Sequence, residues 1–196
     1  MELGVIFAGF GGQGILLSGK VLARAGMDQG LEVSWLPSYG PEMRGGTANC
    51  TVVLSDKPIG SPIVDAPQAL VAMNLPSLDR FEPRVEAGGL IVYNSSLISR
   101  DLARDDVKGI PVPVNDIARE LGNVRVINMV ALGALVRGSG VVPLEAVVTA
   151  MAHEMRGRGR DRLIEINKQA LERGFAEAEK HLGAADAERA RGLSRH

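Results

Sequence analysis

The chain has 196 residues, 45% of them hydrophobic, a length that predicts one domain with a real core and at most a small appendage. The formal net charge of -1 gives no indication of binding to nucleic acid or to an anionic membrane. Cys50 is the only cysteine, which excludes an internal disulfide, a four-cysteine iron–sulfur cluster and a cysteine-rich zinc site. Because no basic leader and no apolar run of membrane-spanning length is present, we expect a cytoplasmic protein that contacts no membrane.

The first part of the chain predicts strands that alternate with helices. Leu3–Ala8 is a short apolar run stopped by glycines, which is typical of a buried strand. Ile15–Gln29 predicts a helix whose small residues allow it to lie close to a sheet. Val33–Pro37 and Asn49–Ser55 predict the next two strands, joined by a loop rich in glycine.

The same alternation continues to the end of the chain. Further strands are predicted at Ala69–Asn74, at Leu90–Tyr93 and, as a short edge-like strand, at Val112–Val114. Further helices are predicted at Leu75–Phe81, Asp116–Leu121 with Asn115 as its cap, Asn123–Arg137 after a turn, Leu144–Met155, and Asp161 to about Leu182. We therefore expect an α/β fold, Rossmann-like, with an open, mostly parallel sheet and helices on both faces. It forms one domain over 1–182, and 183–196 is predicted to be a disordered or frayed tail.

A glycine turn follows the first strand and precedes the first helix. The candidate binding residues in it are Gly9, Gly11, Gly12, Gln13 and Gly14. Of these, Gly9, Gly11 and Gly14 match G-x-G-x-x-G. A strand, glycine turn and helix in this order point free backbone N–H groups at an anion, so the turn predicts a cradle for a nucleotide or a pyrophosphate. The alternative is a tight turn that allows close packing and binds nothing.

One position argues against an ordinary NAD site. A dinucleotide site requires an acidic residue at the end of the second strand, where it binds a ribose hydroxyl. Leu36-Pro37-Ser38 occupies that place, and Glu32 lies before the strand, at its wrong end. Either the ligand is not NAD or the turn serves another purpose.

The loop Tyr39–Thr47 is the second candidate site. In a parallel sheet it lies at the carboxyl end of the second strand, beside the glycine turn. Arg44 is suited to pair with a carboxylate or phosphate, and Glu42 and Arg44 are the candidates for a catalytic role. The alternative is an internal Glu42–Arg44 contact or exposure to water. The binding candidates in this loop are Tyr39, Arg44, Gly45, Gly46 and Thr47.

Several other polar residues have a structural explanation as well as a functional one. Asn74 ends a predicted strand and faces the same crevice, and Asn94-Ser95-Ser96 ends another, but helix capping explains each equally well. Asn128 in an apolar helix predicts a buried hydrogen bond to backbone, Cys50 an inert core thiol, and Arg156–Arg162 a solvated loop. The histidines have no ligand spacing, so no metal site is predicted.

No motif of a complete catalytic apparatus is present. The sequence contains no G-x-S-x-G, and the glycine turn has Gln13-Gly14-Ile15 where a phosphate-binding loop has Gly-Lys-Ser/Thr. This favours a subunit or a binding module over a self-sufficient enzyme.

The two loops together resemble those of a known family. Gly9–Ile15 and Ser38–Cys50 are similar to the gamma subunits of 2-oxoacid:ferredoxin oxidoreductases, most of all the 2-oxoglutarate type. Further similar segments are 61–62, 72–74, 93–96 and 128–133. The resemblance runs from Met1 to about Gly174, and the long second motif makes it specific.

This resemblance implies a multi-subunit enzyme that oxidatively decarboxylates a 2-oxoacid, makes the acyl-CoA and reduces ferredoxin. Thiamine diphosphate and iron–sulfur clusters are implied on the alpha, beta and ferredoxin-like partner subunits, and coenzyme A at the cleft of this chain, which alone is inactive and holds no cofactor. Pyruvate-type relatives carry Arg-Arg-Gly in place of Glu42-Met43-Arg44-Gly45-Gly46, so this loop favours 2-oxoglutarate. Indolepyruvate and branched-chain oxoacids remain open as substrates, as does self-association of the isolated chain.

Two other functions stay open on the residues alone. One is a stand-alone NAD- or FAD-dependent oxidoreductase, which the glycine turn suggests and the missing ribose acid opposes. The other is a non-catalytic module that binds a nucleotide and a partner.

Overall fold

A computed structural model describes residues 1–39, 47–157 and 161–193. Its centre is a six-stranded sheet in the order β2-β3-β1-β4-β5-β6. The strands are β1 (Glu2–Phe10), β2 (Glu32–Tyr39), β3 (Thr47–Ser55), β4 (Ala69–Ala72), β5 (Leu90–Asn94) and β6 (Lys108–Val112). The helices are α1 (Ile15–Asp28), α2 (Leu75–Phe81), α3 (Val114–Glu120), α4 (Ile127–Ser139), α5 (Leu144–Met155) and α6 (Ile164–Leu193).

Among these strands, only β3 runs against the common direction. β1, β4, β5 and β6 pair in parallel, while β3 pairs antiparallel with both β1 and β2. The open, mostly parallel α/β fold expected from the sequence is confirmed. Its first two predicted strands are not neighbours, however, because β2 and β3 form a hairpin whose second strand lies between β2 and β1.

The register of this hairpin fixes where its tip lies. Ala48 of β3 pairs with Tyr39 on one side and with Gly9 on the other. The tip therefore begins and ends at the carboxyl edge of β1, next to the glycine turn, which is where the sequence predicts the loop Tyr39–Thr47.

The main core lies on one face of the sheet. Because strand residues alternate between faces, Val5, Phe7, Val52, Leu54 and Val92 all point to this side, where they pack against α1, α4, α5 and α6. Helix α4 is enclosed between the sheet and α6, and every residue from Ile127 to Val136 is buried. That position explains why its sequence is apolar on all sides.

A smaller core lies on the opposite face. It contains Ile6 and Ala8 of β1 and alternate residues of β4 and β5, covered by Leu78 and Phe81 of α2 and by Ile98. Among the residues that the structure describes, none of this core comes from β2 or β3.

Several element boundaries differ from those predicted. Gly9 lies within β1, and α3 begins at Val114 after Pro113, so Asn115 is not its cap. The edge strand β6 ends at Val112 instead of Val114. Helix α6 continues to Leu193 although its predicted end is near Leu182. The extent of the domain over 1–182 and the frayed tail over 183–196 stay predictions.

Candidate functional site

Gln13 closes the glycine turn from two sides. Its backbone N–H donates to the carbonyl of Phe10 at 3.1 Å, and its side-chain Oε1 accepts the backbone N–H of Phe10 at 2.7 Å. The side chain thus folds back over Gly9, where a methyl group would overlap both Gln13 Oε1 and the Ile15 side chain. A side chain at the first glycine of the motif would therefore displace Gln13 or Ile15 from these positions.

Two further glycines of the turn have left-handed backbone conformations. Gly12 has φ of 94° and Gly14 has φ of 74°, a region that glycine adopts without strain. Above Gly12 a side chain would meet open space, whereas at Gly14 it would collide with the side chain of Asn128. Gly12 therefore presents bare backbone to the outside, while Gly14 serves the packing of α1 against α4.

Asn128 and Ser18 anchor the start of α1. The Asn128 side chain, 4% exposed, donates from Nδ2 to the carbonyl of Gly14 at 3.2 Å. Ser18 Oγ donates to the carbonyl of Asn128 at 3.2 Å. The predicted buried hydrogen bond from Asn128 to backbone is confirmed. Ser18 was not among the predicted site residues, since a serine in a helix gives no sequence signal of this contact.

Asn74 connects the glycine turn to α2. Its Oδ1 accepts the backbone N–H of Ser77 at 3.0 Å and so caps the helix, while Nδ2 donates to Gln13 Oε1 at 3.2 Å. The side chain is 3% exposed. Asn74 is therefore a helix cap that also contacts the glycine turn, and its role in binding a ligand stays a prediction.

Asn94 extends this amide network to the far side of the sheet. Its Nδ2 donates to the carbonyl of Met73 at 3.1 Å and to Asn115 Oδ1 at 2.8 Å, and its Oδ1 accepts the Ser96 N–H at 3.1 Å. Ser96 Oγ in turn donates to Asp116 Oδ2 at 2.7 Å, and this bond is the main reason that the pKa of the Asp116 carboxyl is lowered. Hydrogen bonds within the protein thus explain why polar side chains occur at positions 94 and 96.

The donors that remain point to anion binding. The first helical hydrogen bond of α1 runs from Ser18 N–H to the Gly14 carbonyl, so the N–H groups of residues 15–17 have no partner inside the helix. Within the described ranges, Gln13 Nε2 also has no hydrogen-bond partner in the protein. Donors near the positive end of a helix dipole are suited to hold an anion in place.

The second candidate loop is described only at its ends. Tyr39 ends β2, and Thr47 begins β3, exposed and paired with Phe10. Glu42, Arg44, Gly45 and Gly46 lie outside the described residues, so their binding and catalytic roles stay predictions.

Cys50 is a core thiol, as predicted. It is completely buried beside Gly19 of α1, and its Sγ donates to the carbonyl of Ile15 at 3.6 Å. Burial raises the pKa of this thiol to about 12, so the reactive thiolate is strongly disfavoured at neutral pH. The described ranges contain no cluster of three His, Cys, Asp or Glu side chains arranged to bind a metal ion. They also contain no helix long and apolar enough to cross a bilayer.

The sheet order adds an argument against a dinucleotide site. In a dinucleotide-binding fold the second strand lies beside the first, and its end reaches the ribose of the ligand. Here β3 lies between β1 and β2, so the end of β2 is two strands away from the glycine turn. Both the missing acid and the displaced strand disfavour NAD.

Comparison with known proteins identifies the relatives of this arrangement. The family described as pyruvate ferredoxin/flavodoxin oxidoreductase matches residues 4–177. The ketoisovalerate oxidoreductase subunit VorA of Methanothermobacter marburgensis is 41% identical over 182 residues, which cover 92% of this chain and 37% of the relative. The 2-oxoglutarate synthase subunit KorC of Methanocaldococcus jannaschii is 34% identical, over 86% of this chain and 92% of the relative. This chain therefore spans just over a third of the first relative and most of the second.

A solved structure agrees with these relatives. The gamma subunit of keto/oxoacid ferredoxin oxidoreductase from Geobacter sulfurreducens superposes with a TM-score of 0.81 at 30% identity, covering 92% of this chain and 98% of that one. The resemblance to gamma subunits seen in the two loop motifs is confirmed, and this chain belongs to the pyruvate ferredoxin/flavodoxin oxidoreductase family.

Proposed function

We propose that this chain is the gamma subunit of a cytoplasmic, multi-subunit enzyme that oxidatively decarboxylates a 2-oxoacid, forms the acyl-CoA and reduces ferredoxin. The observation that carries the proposal is the family match over residues 4–177. The partners in this proposal are alpha and beta subunits that bind thiamine diphosphate, and a ferredoxin-like subunit or ferredoxin. Iron–sulfur clusters belong to those partners, since Cys50 alone, buried in the core, is unsuited to ligate one.

Two substrate classes have support. The sequence of the second loop favours 2-oxoglutarate, and the KorC relative acts in 2-oxoglutarate synthesis by its name. The VorA relative, a ketoisovalerate enzyme by name, is more similar at 41% identity against 34%. A branched-chain 2-oxoacid is therefore the second candidate. Rates of CoA-dependent ferredoxin reduction by the purified complex with each acid decide between them.

Coenzyme A is the ligand proposed for the carboxyl edge of the sheet. The residues present fit a phosphate group: bare backbone at Gly12, the positive end of α1 and the amide nitrogen of Gln13. Coenzyme A supplies the thiol that accepts the acyl group. Gly12 and Gln13 bind and orient its anionic part, while Asn74 and Asn128 hold the turn in shape. This chain thus contributes binding and positioning, and no proton transfer is assigned to its described residues.

Co-purification tests the proposal as a whole. The tagged native chain is expected to bring down thiamine-diphosphate subunits, and the complex is expected to form acyl-CoA from a 2-oxoacid. A native chain that never associates with such subunits overturns the proposal.

Arg44 gives a second test, aimed at the predicted loop site. Arg44→Ala is expected to lower turnover of the assembled complex while the complex still forms, because the guanidinium is proposed to pair with an anionic group of a ligand. Arg156→Ala, in the arginine-rich loop predicted to be solvated, is the matched control and is expected to leave turnover unchanged. Normal acyl-CoA formation by the Arg44 variant removes this residue from the site.

A further inference from the structure

One part of the sheet lacks a cover within the described residues. On the face opposite to α1, the hairpin of β2 and β3 presents Ser34, Leu36, Ser38, Thr47, Asn49 and Thr51, which we call the hairpin face. Leu36 is 43% exposed, and Phe10, which extends the face on β1, is 37% exposed. On β3, Cys50 and Val52 point to the other face of the sheet and are completely buried.

The cover provided by the chain itself stops at the edge of this face. Val64 packs over Gly4 and so protects the amino-terminal part of β1. Helix α2 and Ile98 cover β4 and β5. On the same side of β3, Val53 and Ser55 are also covered, being 2% and 1% exposed. The open part of the hairpin face therefore lies toward the glycine turn, at Leu36, Ser38 and Thr47.

The chemistry of the hairpin face fits a protein surface. No charged residue occurs in Val33–Tyr39 or in Thr47–Ser55. Nucleic acid and anionic membranes are bound through Lys and Arg, so neither fits this face. An uncharged sheet face with exposed apolar side chains, here Leu36 and Phe10, is typical of a surface that another polypeptide covers.

We propose that the hairpin face docks the thiamine-diphosphate subunit of the same oxidoreductase, through an uncharged, apolar surface of that subunit. The VorA relative continues beyond this domain, which covers 37% of its length, and a domain within a longer polypeptide packs on the rest through one of its faces. In the proposed complex the thiamine-diphosphate subunit takes that place. This inference rests on the proposed function, and adds which surface makes the contact.

The position of the face gives the docking a consequence for the site. A stable interface covers roughly 800 Å² on each partner, so the occupant has to extend beyond the hairpin strands. The direction left open runs past Phe10, which pairs with Thr47 at the base of the hairpin tip. The docked subunit therefore reaches the glycine turn and closes the crevice in which coenzyme A is proposed to bind.

Cysteine footprinting tests this docking without disturbing the fold. Cys50 is completely buried, so an introduced surface cysteine is the one that reacts with a maleimide in the folded protein. Leu36→Cys and Ser38→Cys are placed on the hairpin face. Met27→Cys and Val124→Cys, at positions 56% and 65% exposed, are the matched controls. Labelling rates are measured for each isolated variant and for the complex assembled with the thiamine-diphosphate subunit.

On assembly, labelling at positions 36 and 38 is expected to slow by about tenfold or more, because the centre of an interface excludes water, while both controls keep their rates. Leu36→Glu is expected to abolish assembly and Met27→Glu to preserve it, with unchanged thermal unfolding temperatures showing that both variants fold.

Four outcomes overturn the inference, and they are distinguishable. Equal labelling of positions 36 and 38 in the isolated and assembled states refutes the docking face while the proposed function stands. Slow labelling already in the isolated monomer means that the chain covers this face itself. Slow labelling that depends on protein concentration means that a second copy covers it. A native chain that assembles with no thiamine-diphosphate subunit overturns both the inference and the proposed function.

Discussion

Gly133 of α4 and Gly174 of α6 occupy reciprocal positions where the two helices cross. A methyl group on Gly133 would overlap the carbonyl oxygen of Leu171, three residues before Gly174, and a methyl group on Gly174 would overlap that of Val130, three residues before Gly133. Each glycine therefore lies directly against the backbone of the other helix. Because α6 packs on α4 and α4 on the sheet, this crossing sets how closely the outer layer approaches the core.

Alanine at either glycine is expected to destabilise the protein. Gly133→Ala and Gly174→Ala each force the helices apart, since the obstructing atom is backbone and not the end of a flexible side chain, and we expect a loss of about 1–3 kcal/mol in the free energy of unfolding. Gly183→Ala, in the same α6 but facing open space, is the control and is expected to gain roughly 0.5–1 kcal/mol. Urea unfolding followed by circular dichroism measures all three. Equal effects at positions 174 and 183 contradict the close crossing.

Gln13→Glu separates the structural role of the glycine turn from anion binding. Glutamate keeps side-chain oxygens that accept from Phe10 N–H and Asn74 Nδ2, so stability is expected to change by less than about 1 kcal/mol. It also replaces a free amide donor by a negative charge, which repels a phosphate. In the assembled enzyme we expect the KM for coenzyme A to rise about tenfold or more with little change in the KM for the 2-oxoacid. An unchanged KM for coenzyme A removes Gln13 from the binding site.

Asn74 is expected to show graded losses, because it makes two different hydrogen bonds. Asn74→Asp keeps an acceptor for the Ser77 N–H and loses the donor to Gln13, whereas Asn74→Ala loses both bonds. Loss of a helix cap costs about 1 kcal/mol, so the alanine variant is expected to be less stable than the aspartate variant by roughly that amount. Thermal and urea unfolding of the three proteins at pH 7 measures the difference. Equal stability of the two variants means that the cap contributes nothing measurable.

Arg100 binds one buried and one exposed carboxylate, which allows a matched comparison. Its Nη2 donates to Glu82 Oε2 at 2.7 Å and to Asp79 Oδ1 at 2.6 Å, and Glu82 also accepts the backbone N–H of Ala103 at 2.5 Å. The Glu82 side chain is 2% exposed and that of Asp79 57%. We expect Glu82→Gln to cost about 3 kcal/mol, because it leaves part of a buried network uncompensated, and Asp79→Asn to cost under about 1 kcal/mol. If the two variants lose similar amounts of stability in urea unfolding, the buried Glu82–Arg100 pair is not the main interaction that holds residues 100–103 in place.

The buried thiol of Cys50 predicts a pH dependence of stability. Burial raises its pKa from the ordinary 9.0 to about 12, so the folded protein keeps the proton to higher pH than the unfolded chain does. The resulting stability is fully present below pH 9.0 and is lost as the pH rises toward 12, by about 1.4 kcal/mol per pH unit. Urea unfolding at several pH values from 8 to 11, compared with Cys50→Ala, measures this slope. Parallel curves for the two proteins rule out the linkage.

The local parts of the fold follow from the sequence, because strand, glycine turn and helix are encoded by neighbouring residues. The position of β3 in the sheet does not follow from the sequence. The same order of strands along the chain is compatible with a parallel β1–β2 pair or with a β2–β3 hairpin that places β3 between β2 and β1. Contacts distant in sequence decide between them: Gly19 and Gly26 of α1 lie against Cys50 and Leu54 of β3. Small residues in a helix predict close packing on a sheet but do not indicate which strand lies beneath them.

The candidate site also has a part that the sequence predicts and a part that it does not. The shape of the glycine turn and the nearness of Asn74 are predictable, because strand ends of a parallel sheet meet at one edge. The bonds from Asn94 to Asn115 and from Asn128 to Gly14 join segments far apart in the chain, and no local pattern encodes them. The hairpin face was likewise unpredictable, since an alternating strand does not reveal whether its second side is covered.

The amide network at the carboxyl edge of the sheet has a consequence for the pH profile of the assembled enzyme. The network consists of the amide side chains of Gln13, Asn74, Asn94 and Asn115 and the Met73 carbonyl between them. Amide groups neither gain nor lose a proton between about pH 4 and about pH 10. The hydrogen bonds among these four side chains are therefore not altered by their own titration over that range. A change in rate with pH has to originate outside this network, in the substrates, in coenzyme A or in other titrating groups of this chain and its partners.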